Sequence, residues 1–290
     1  MKRFAVFTLF LLLASRLFSM DWPSATGIIL RNFGWNSAGM PYLGISFAYN
    51  GQLAAADNGE LLYQRRENDT ASRLPSPLGS WLALDHGDGI ISIYSRFNDS
   101  STEHLSEPES GLVEKGSILG ESGISGWSSQ RGFFFQLYDR KERRWINPAL
   151  IIPLVNIRQP AILSVRLRNA QGSFFDPSQV LRLIQGRYSV IVNATDTMQF
   201  ANETPLAPFR IICTLNGSEA GVLNFDNYSA RNGSLVVYRN GLIPARQVYA
   251  QFPAYEVADL WFPRGQTSLE IIAQDIMGNS RNVFYRFLVE

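Results

Sequence analysis

Apolar and polar residues alternate in short runs along this chain, and the runs recur roughly every 8 to 12 residues between Gly, Asn, Asp and Pro turns, the spacing of all-β sandwiches and barrels. Gly27-Ile-Ile-Leu, Gly59-Glu-Leu-Leu-Tyr, Ser80-Trp-Leu-Ala-Leu, Ile90-Ile-Ser-Ile-Tyr and Phe133-Phe-Phe-Gln-Leu-Tyr are strand patterns of the first half. Tyr188-Ser-Val-Ile-Val, Ser234-Leu-Val-Val-Tyr, Leu269-Glu-Ile-Ile-Ala and Val283-Phe-Tyr-Arg-Phe-Leu-Val continue the series. The alternation places Tyr188, Val190 and Val192 on one face of their strand. His86-Gly-Asp-Gly predicts a tight two-residue hairpin, because Asp-Gly supplies the positive φ that such a connection demands, and Leu215-Asn216-Gly217 predicts another. One short helix is predicted, around Pro177 to Gln185. The fold class is therefore all-β.

The N-terminus adds an address. Met1, Lys2 and Arg3 precede an apolar run from Phe4 to Ala14 and small residues near Ser19, the order of a secretory signal peptide. Residues 1–20 are assigned to it, because the run is shorter than the about 20 residues a bilayer span needs. The chain is then expected outside the bacterial cytoplasm, in the periplasm or at the cell surface. No cysteine near the cleavage point offers a lipid anchor.

The remainder of the 290 residues exceeds one ordinary domain. Pro148, Pro153 and Pro160 interrupt any continuous element, so the expected division is 21–155 and 156–290. Asn68 to Ser80 and Asn98 to Leu112 read as exposed polar loops. The charges are balanced, 26 basic against 25 acidic, and interspersed, which gives no electrostatic case for nucleic acid. Cys213 is the single cysteine, within Phe209-Arg-Ile-Ile-Cys-Thr, so it forms no intrachain disulfide and is expected to be buried in a strand. The N-x-S/T triplets at Asn68, Asn98, Asn193, Asn202, Asn216, Asn227 and Asn232 read as turn residues of a β-rich chain in preference to glycan acceptors.

Several spaced motifs of the first half agree in order with one family. Phe33-Gly34-Trp35, Gly51 followed by Leu53-Ala-Ala-Ala-Asp-Asn-Gly59, Leu84-Asp85-His86-Gly87-Asp88-Gly89 with Tyr94, Val113-Glu-Lys115-Gly116-Ser-Ile118-Leu-Gly120 with Gly123 and Gly126, and Asn147-Pro148 together resemble the lysostaphin/LytM zinc peptidases. The resemblance implies a β-sheet domain and a zinc ion held by two His and an Asp, with two further His serving the proton and the oxyanion. At the implied ligand positions this chain has Tyr42, Ser46 and Phe134, and at the implied catalytic His positions it has Arg96 and Gly132. A phenol, a hydroxymethyl and a phenyl ring do not replace imidazole and carboxylate, and a guanidinium stays protonated and cannot act as a base. Zinc and peptidase activity are expected to be lost, and neither His86 nor His104 is expected to found another metal site.

If the family's groove is kept, Tyr42, Arg96, Trp127 and Phe134 line it and suit an extended peptide or its carboxylate. Phe134 reads equally as core, and Arg96 reads equally as the partner of an internal carboxylate such as Asp57 or Asp85. In the second half, Gly186 to Asp196 and Gly265 to Asp275 repeat a glycine, an alternating strand and an Asp at a turn, similar to strands of immunoglobulin-like sandwiches. That half has no histidine, so no Ser/His/Asp or Cys/His constellation arises there. Three functions stay open: an exported LytM-like protein that binds cell-wall peptide or regulates a peptidoglycan hydrolase, a zinc endopeptidase with atypical ligands, and a structural envelope or adhesion protein.

Overall fold

A computed structural model describes residues 20–37, 39–68, 74–99, 111–154, 156, 158–197, 204–249 and 253–290. The expected signal peptide up to residue 19, His104, Asn202, residue 155 at the expected domain division, and residues 69–73 and 100–110 of the two expected polar loops lie outside them. Among the described residues no helix is long and apolar enough to cross a membrane.

The first half supplies β1 (Ile28–Arg31), β2 (Asn36–Ser37), β3 (Met40–Pro41), β4 (Ile45–Ala48), β5 (Gln52–Ala54), β6 (Gly59–Arg65), β7 (Trp81–Asp85), β8 (Ile90–Ser95), β9 (Leu112–Val113), β10 (Ile118–Glu121), β11 (Gly132–Asp139) and β12 (Arg144–Ile146). The second supplies β13 (Ala161–Asn169), β14 (Phe174–Phe175), β15 (Arg182–Leu183), β16 (Gly186–Thr195), β17 (Arg210–Leu215), β18 (Ser218–Arg231), β19 (Ser234–Arg239), β20 (Leu242–Pro244), β21 (Ala254–Phe262), β22 (Gly265–Gln274) and β23 (Ser280–Val289). The alternating runs read from the sequence are all strands, and the chain is all-β.

Period-two alternation fixes which side of each strand is core. Leu82, Tyr94, Phe135 and Ile45 are successive register partners across β7, β8, β11 and β4, and all four are buried in one hydrophobic cluster. A second cluster lies between the sheet β14-β13-β16-β21 and the strands β23-β22-β17-β18, and it contains Tyr188, Val190 and Val192 as the alternation predicts. Cys213 is in that core, on β17, where burial pushes its thiol up to about 12.

The two halves are joined by backbone. Strand β12 pairs β11 on one side and β18 on the other, so one sheet runs from β9 of the first half to β15 of the second. Asn32 and Ala207 exchange two hydrogen bonds of 2.8 Å each, and the Asn147 amide donates to the Phe225 carbonyl at 3.0 Å. These are buried polar groups satisfied across the junction, as buried amides must be.

Two local expectations are corrected. Residues 177–185 are not a helix: Asp176 caps a single turn, accepting from the Ser178 amide at 2.8 Å, and the chain then forms the short β15 parallel to β23. Leu183 alone is buried there, while Leu181 and Ile184, which at i and i+3 would share one helix face, are both exposed. The 86–89 turn is longer than two residues, since Gly87, Asp88 and Gly89 all have positive φ and the His86 amide donates to the Ile90 carbonyl at 2.9 Å. Strand β8 stops at Ser95, and Arg96 leaves it with a φ of 72°.

Candidate functional site

The face of the first sheet opposite its core carries the candidate site. Trp81, Ser95, Phe134 and Ser46 form one row of register partners across β7, β8, β11 and β4. Phe133 and Phe135 point into the core cluster, whereas Phe134, one position out of phase, belongs to neither core. Instead its ring packs on Tyr42, with centroids 4.8 Å apart. Phe134 is itself buried, 7% exposed, so the ring fills space beneath Tyr42 as well as standing beside Arg96.

Arg96 completes that cluster. Its Nη2 donates to the Tyr42 hydroxyl at 2.8 Å and its guanidinium carbon lies 5.5 Å from the centre of the Phe134 ring. The left-handed backbone at Arg96 costs a non-glycine residue on the order of 1–2 kcal/mol. Backbone bonds on both sides hold it there: its amide donates to Leu78 at 3.0 Å and its carbonyl accepts from Gly123 at 2.7 Å. Strain of this kind persists where the surroundings over-determine the conformation. The internal carboxylates considered for Arg96 are used elsewhere: Asp85 pairs with Arg140 at 3.0 Å, and Asp57 accepts from the Asn58 amide at 2.8 Å.

One residue that the sequence reading missed, Arg31, stands beside the cluster. The Arg31 guanidinium carbon, at the end of β1, lies 4.7 Å from the Trp35 ring centre and 5.5 Å from that of Tyr42. The one available signal was the short interval from Arg31 to Trp35 and Tyr42, and only the Trp35–Tyr42 hairpin turns that interval into contact. The hairpin closes by a 2.8 Å bond from the Tyr42 amide to the Trp35 carbonyl. Trp127, by contrast, is 78% exposed and makes none of the ring contacts that join Tyr42, Phe134 and Trp35. The structure brings Tyr42, Arg96 and Phe134 together and leaves Trp127 outside that contact set.

The remaining substituted positions do not supply metal donors. Ser46, at the β4 end of the row and opposite Phe134 on β11, is buried. At Gly132, an added Cβ would fall 2.0 Å from the Phe47 carbonyl oxygen, so the local backbone leaves no room for a side chain. Among the described residues no group of three or more His, Cys, Asp or Glu could hold a metal ion. The phenol, hydroxymethyl and phenyl ring at the three ligand positions do not fit a zinc ion, which takes thiolate, imidazole and carboxylate donors. His86 is engaged in structure, with Nδ1 2.7 Å from the Asn58 carbonyl and Nε2 2.6 Å from the Ser92 hydroxyl.

With this geometry in view, the chain is similar to several solved structures, among them M23 and lysostaphin-type peptidases. One is the catalytic domain of the prophage-encoded M23 protein EnpA from Enterococcus faecalis, at 19% identity over 42% of this chain and 87% of that one, TM-score 0.34. Another is the antimicrobial peptidase lysostaphin from Staphylococcus simulans, at 14% identity over 93% of this chain and 99% of that one, TM-score 0.35. A third is the SpoIIQ-SpoIIIAH pore-forming complex, at 14% identity over 46% of this chain and 92% of that chain, TM-score 0.35. A family model without a descriptive name matches residues 159–290. No curated protein matches the chain.

Proposed function

We propose that this chain is an exported, non-catalytic LytM-like protein that binds cell-wall peptide in the former peptidase groove instead of cutting it. The observation that carries the reading is the Tyr42–Phe134–Arg96 cluster, in which aromatic rings and one guanidinium occupy positions where the resembling family holds zinc and a catalytic His. Aromatic rings beside a fork of guanidinium donors suit recognition of peptide groups and have neither a Lewis acid nor a base with which to hydrolyse them. The immunoglobulin-like second half serves in this reading as the support on which the groove is built, through the β12–β18 pairing.

The test uses purified, metal-replete protein, on which zinc is determined and retention on insoluble peptidoglycan is measured, with Arg96→Ala alongside. Absence of stoichiometric zinc together with Arg96-dependent retention is expected. One equivalent of tightly held zinc, or retention indifferent to Arg96, would overturn the proposal.

A further inference from the structure

We infer that Arg31 and Arg96 act together as a two-guanidinium clamp for a carboxylate carried by a short extended peptide, with Tyr42 between them. The inference rests on the reading of this groove as a peptide-binding site and names the group it selects.

The two arginines reach the same tyrosine from different sides. Arg31 stands over the ring, 5.5 Å from its centre, and Arg96 is bonded to its hydroxyl at 2.8 Å. Each guanidinium also lies against a second ring, Trp35 for Arg31 at 4.7 Å and Phe134 for Arg96 at 5.5 Å. Rings engage the flat face of a guanidinium and leave its edge donors available for in-plane bonds to a planar two-oxygen acceptor. Arg96 spends one donor on Tyr42. Neither Arg31 nor Arg96 takes part in any ion pair of the described residues, whereas Arg140, Arg144, Arg168, Arg182, Arg187 and Arg239 all do.

Two like charges on one aromatic cluster repel, and a bound anion converts that repulsion into attraction. The site is reachable, since Arg31 is exposed and Trp35, Tyr42 and Arg96 are each partly exposed. The partly exposed Trp35 and Tyr42 rings favour a carboxylate attached to apolar peptide over a bare inorganic anion, because they offer area for the adjoining side chain.

The test is a calorimetric titration of the protein with three probes: N-acetyl-Ala-Ala with a free carboxyl, its C-terminal amide, and N-acetyl-Glu-Ala amide, whose only carboxylate is on a side chain. At least one carboxylate probe is expected to bind about tenfold or more tightly than the neutral amide, the value of one charge-assisted hydrogen bond. Which of the two does so tells whether a chain end or an acidic side chain is the natural source. Arg31→Gln and Arg96→Gln should each abolish the preference, and Arg31→Lys, which keeps the charge without the fork, should keep part of it. Unchanged thermal midpoints show that these variants are folded.

Equal binding of acid and amide, or a preference that survives Arg31→Gln, would overturn the clamp and leave the peptide-binding groove standing. If no probe binds while peptidoglycan is still retained through Arg96, the clamp again fails alone. If neither probes nor peptidoglycan bind, both readings fall.

Discussion

Asp196 is the group whose titration should be felt by the whole fold. It follows β16 at the junction of the two halves, where burial first and the neighbouring Asp275 second push its carboxyl up to about 7. The Asn156 amide bridges the pair, donating to Asp196 at 3.3 Å and to Asp275 at 2.9 Å, and among the described residues neither carboxylate has a cationic partner in an ion pair. In the unfolded chain Asp196 titrates near 3.8. Because the folded value is the higher one, the stability it contributes is full below about pH 4 and is lost as pH rises to about 7, above which nothing further changes.

At 1.36 kcal/mol per unit, the full penalty is about 4 kcal/mol, and the part falling between pH 5 and pH 8 is about 2–3 kcal/mol. Asp196→Asn keeps the shape and the acceptor oxygen but cannot ionise. Urea unfolding followed by tryptophan fluorescence at pH 5, 6.5 and 8 should find the variant more stable than the native chain at pH 8, with the gap shrinking by that amount toward pH 5. Parallel pH profiles for the two proteins would refute the buried-carboxylate argument.

Four other outcomes are expected. Arg96→Gly should be more stable than Arg96→Ala by about 1 kcal/mol in denaturant titration, since both lose the side chain and only glycine relieves the positive φ. His86→Ala should lower stability by about 1–3 kcal/mol in the same assay, because it leaves the Asn58 carbonyl and Ser92 hydroxyl without the ring that bridges them. Cys213 should resist a thiol reagent in the native protein at pH 8 and react once urea unfolds it, because its buried thiol is pushed up to about 12 and little thiolate is present. Tyr249→Phe, which removes a 2.7 Å hydrogen bond to the Gly34 carbonyl, should cost about 1–3 kcal/mol of stability and weaken retention on peptidoglycan without altering any residue of the cluster.

Strands were legible because alternation is a local signal: each run named from the sequence carries its own record of which side faces the core, as Phe133 and Phe135 against Phe134 illustrate. Residues 177–185 misled because Val180, Leu183 and Ile184 fit a helical spacing, and only the distant β23 reveals the pairing that wins. The substituted positions Tyr42, Arg96 and Phe134 were legible through motif order, and they do meet. Arg31 was not, because its contacts depend on the hairpin that folds Trp35 and Tyr42 back over it, which is tertiary information. Nor could the chain announce that the two Asp residues ending its repeated Gly-strand-Asp signatures converge on one asparagine.

The junction ties the Tyr42–Phe134–Arg96 cluster to the second half. The wall that carries Trp35 and Tyr42 begins at Phe33 and Gly34, and these pack into the second core against Tyr228 and Phe225. Tyr249 fixes the same segment by donating to Gly34, and its phenol is bonded in turn to Tyr228. Burial pushes the Tyr249 phenol well above its usual range, so it remains a donor at any pH at which the fold survives. On the far side, β12 binds the floor strand β11 to β18. Floor and wall are thus both anchored to the sandwich, one through backbone pairing and the other through aromatic packing. Their spacing, on which the Arg96 to Tyr42 bond depends, is therefore set by the second half as much as by the first. Under the proposed binding reading this external scaffold matters, because Tyr42, Phe134 and Arg96 hold one another only through rings and a single hydrogen bond.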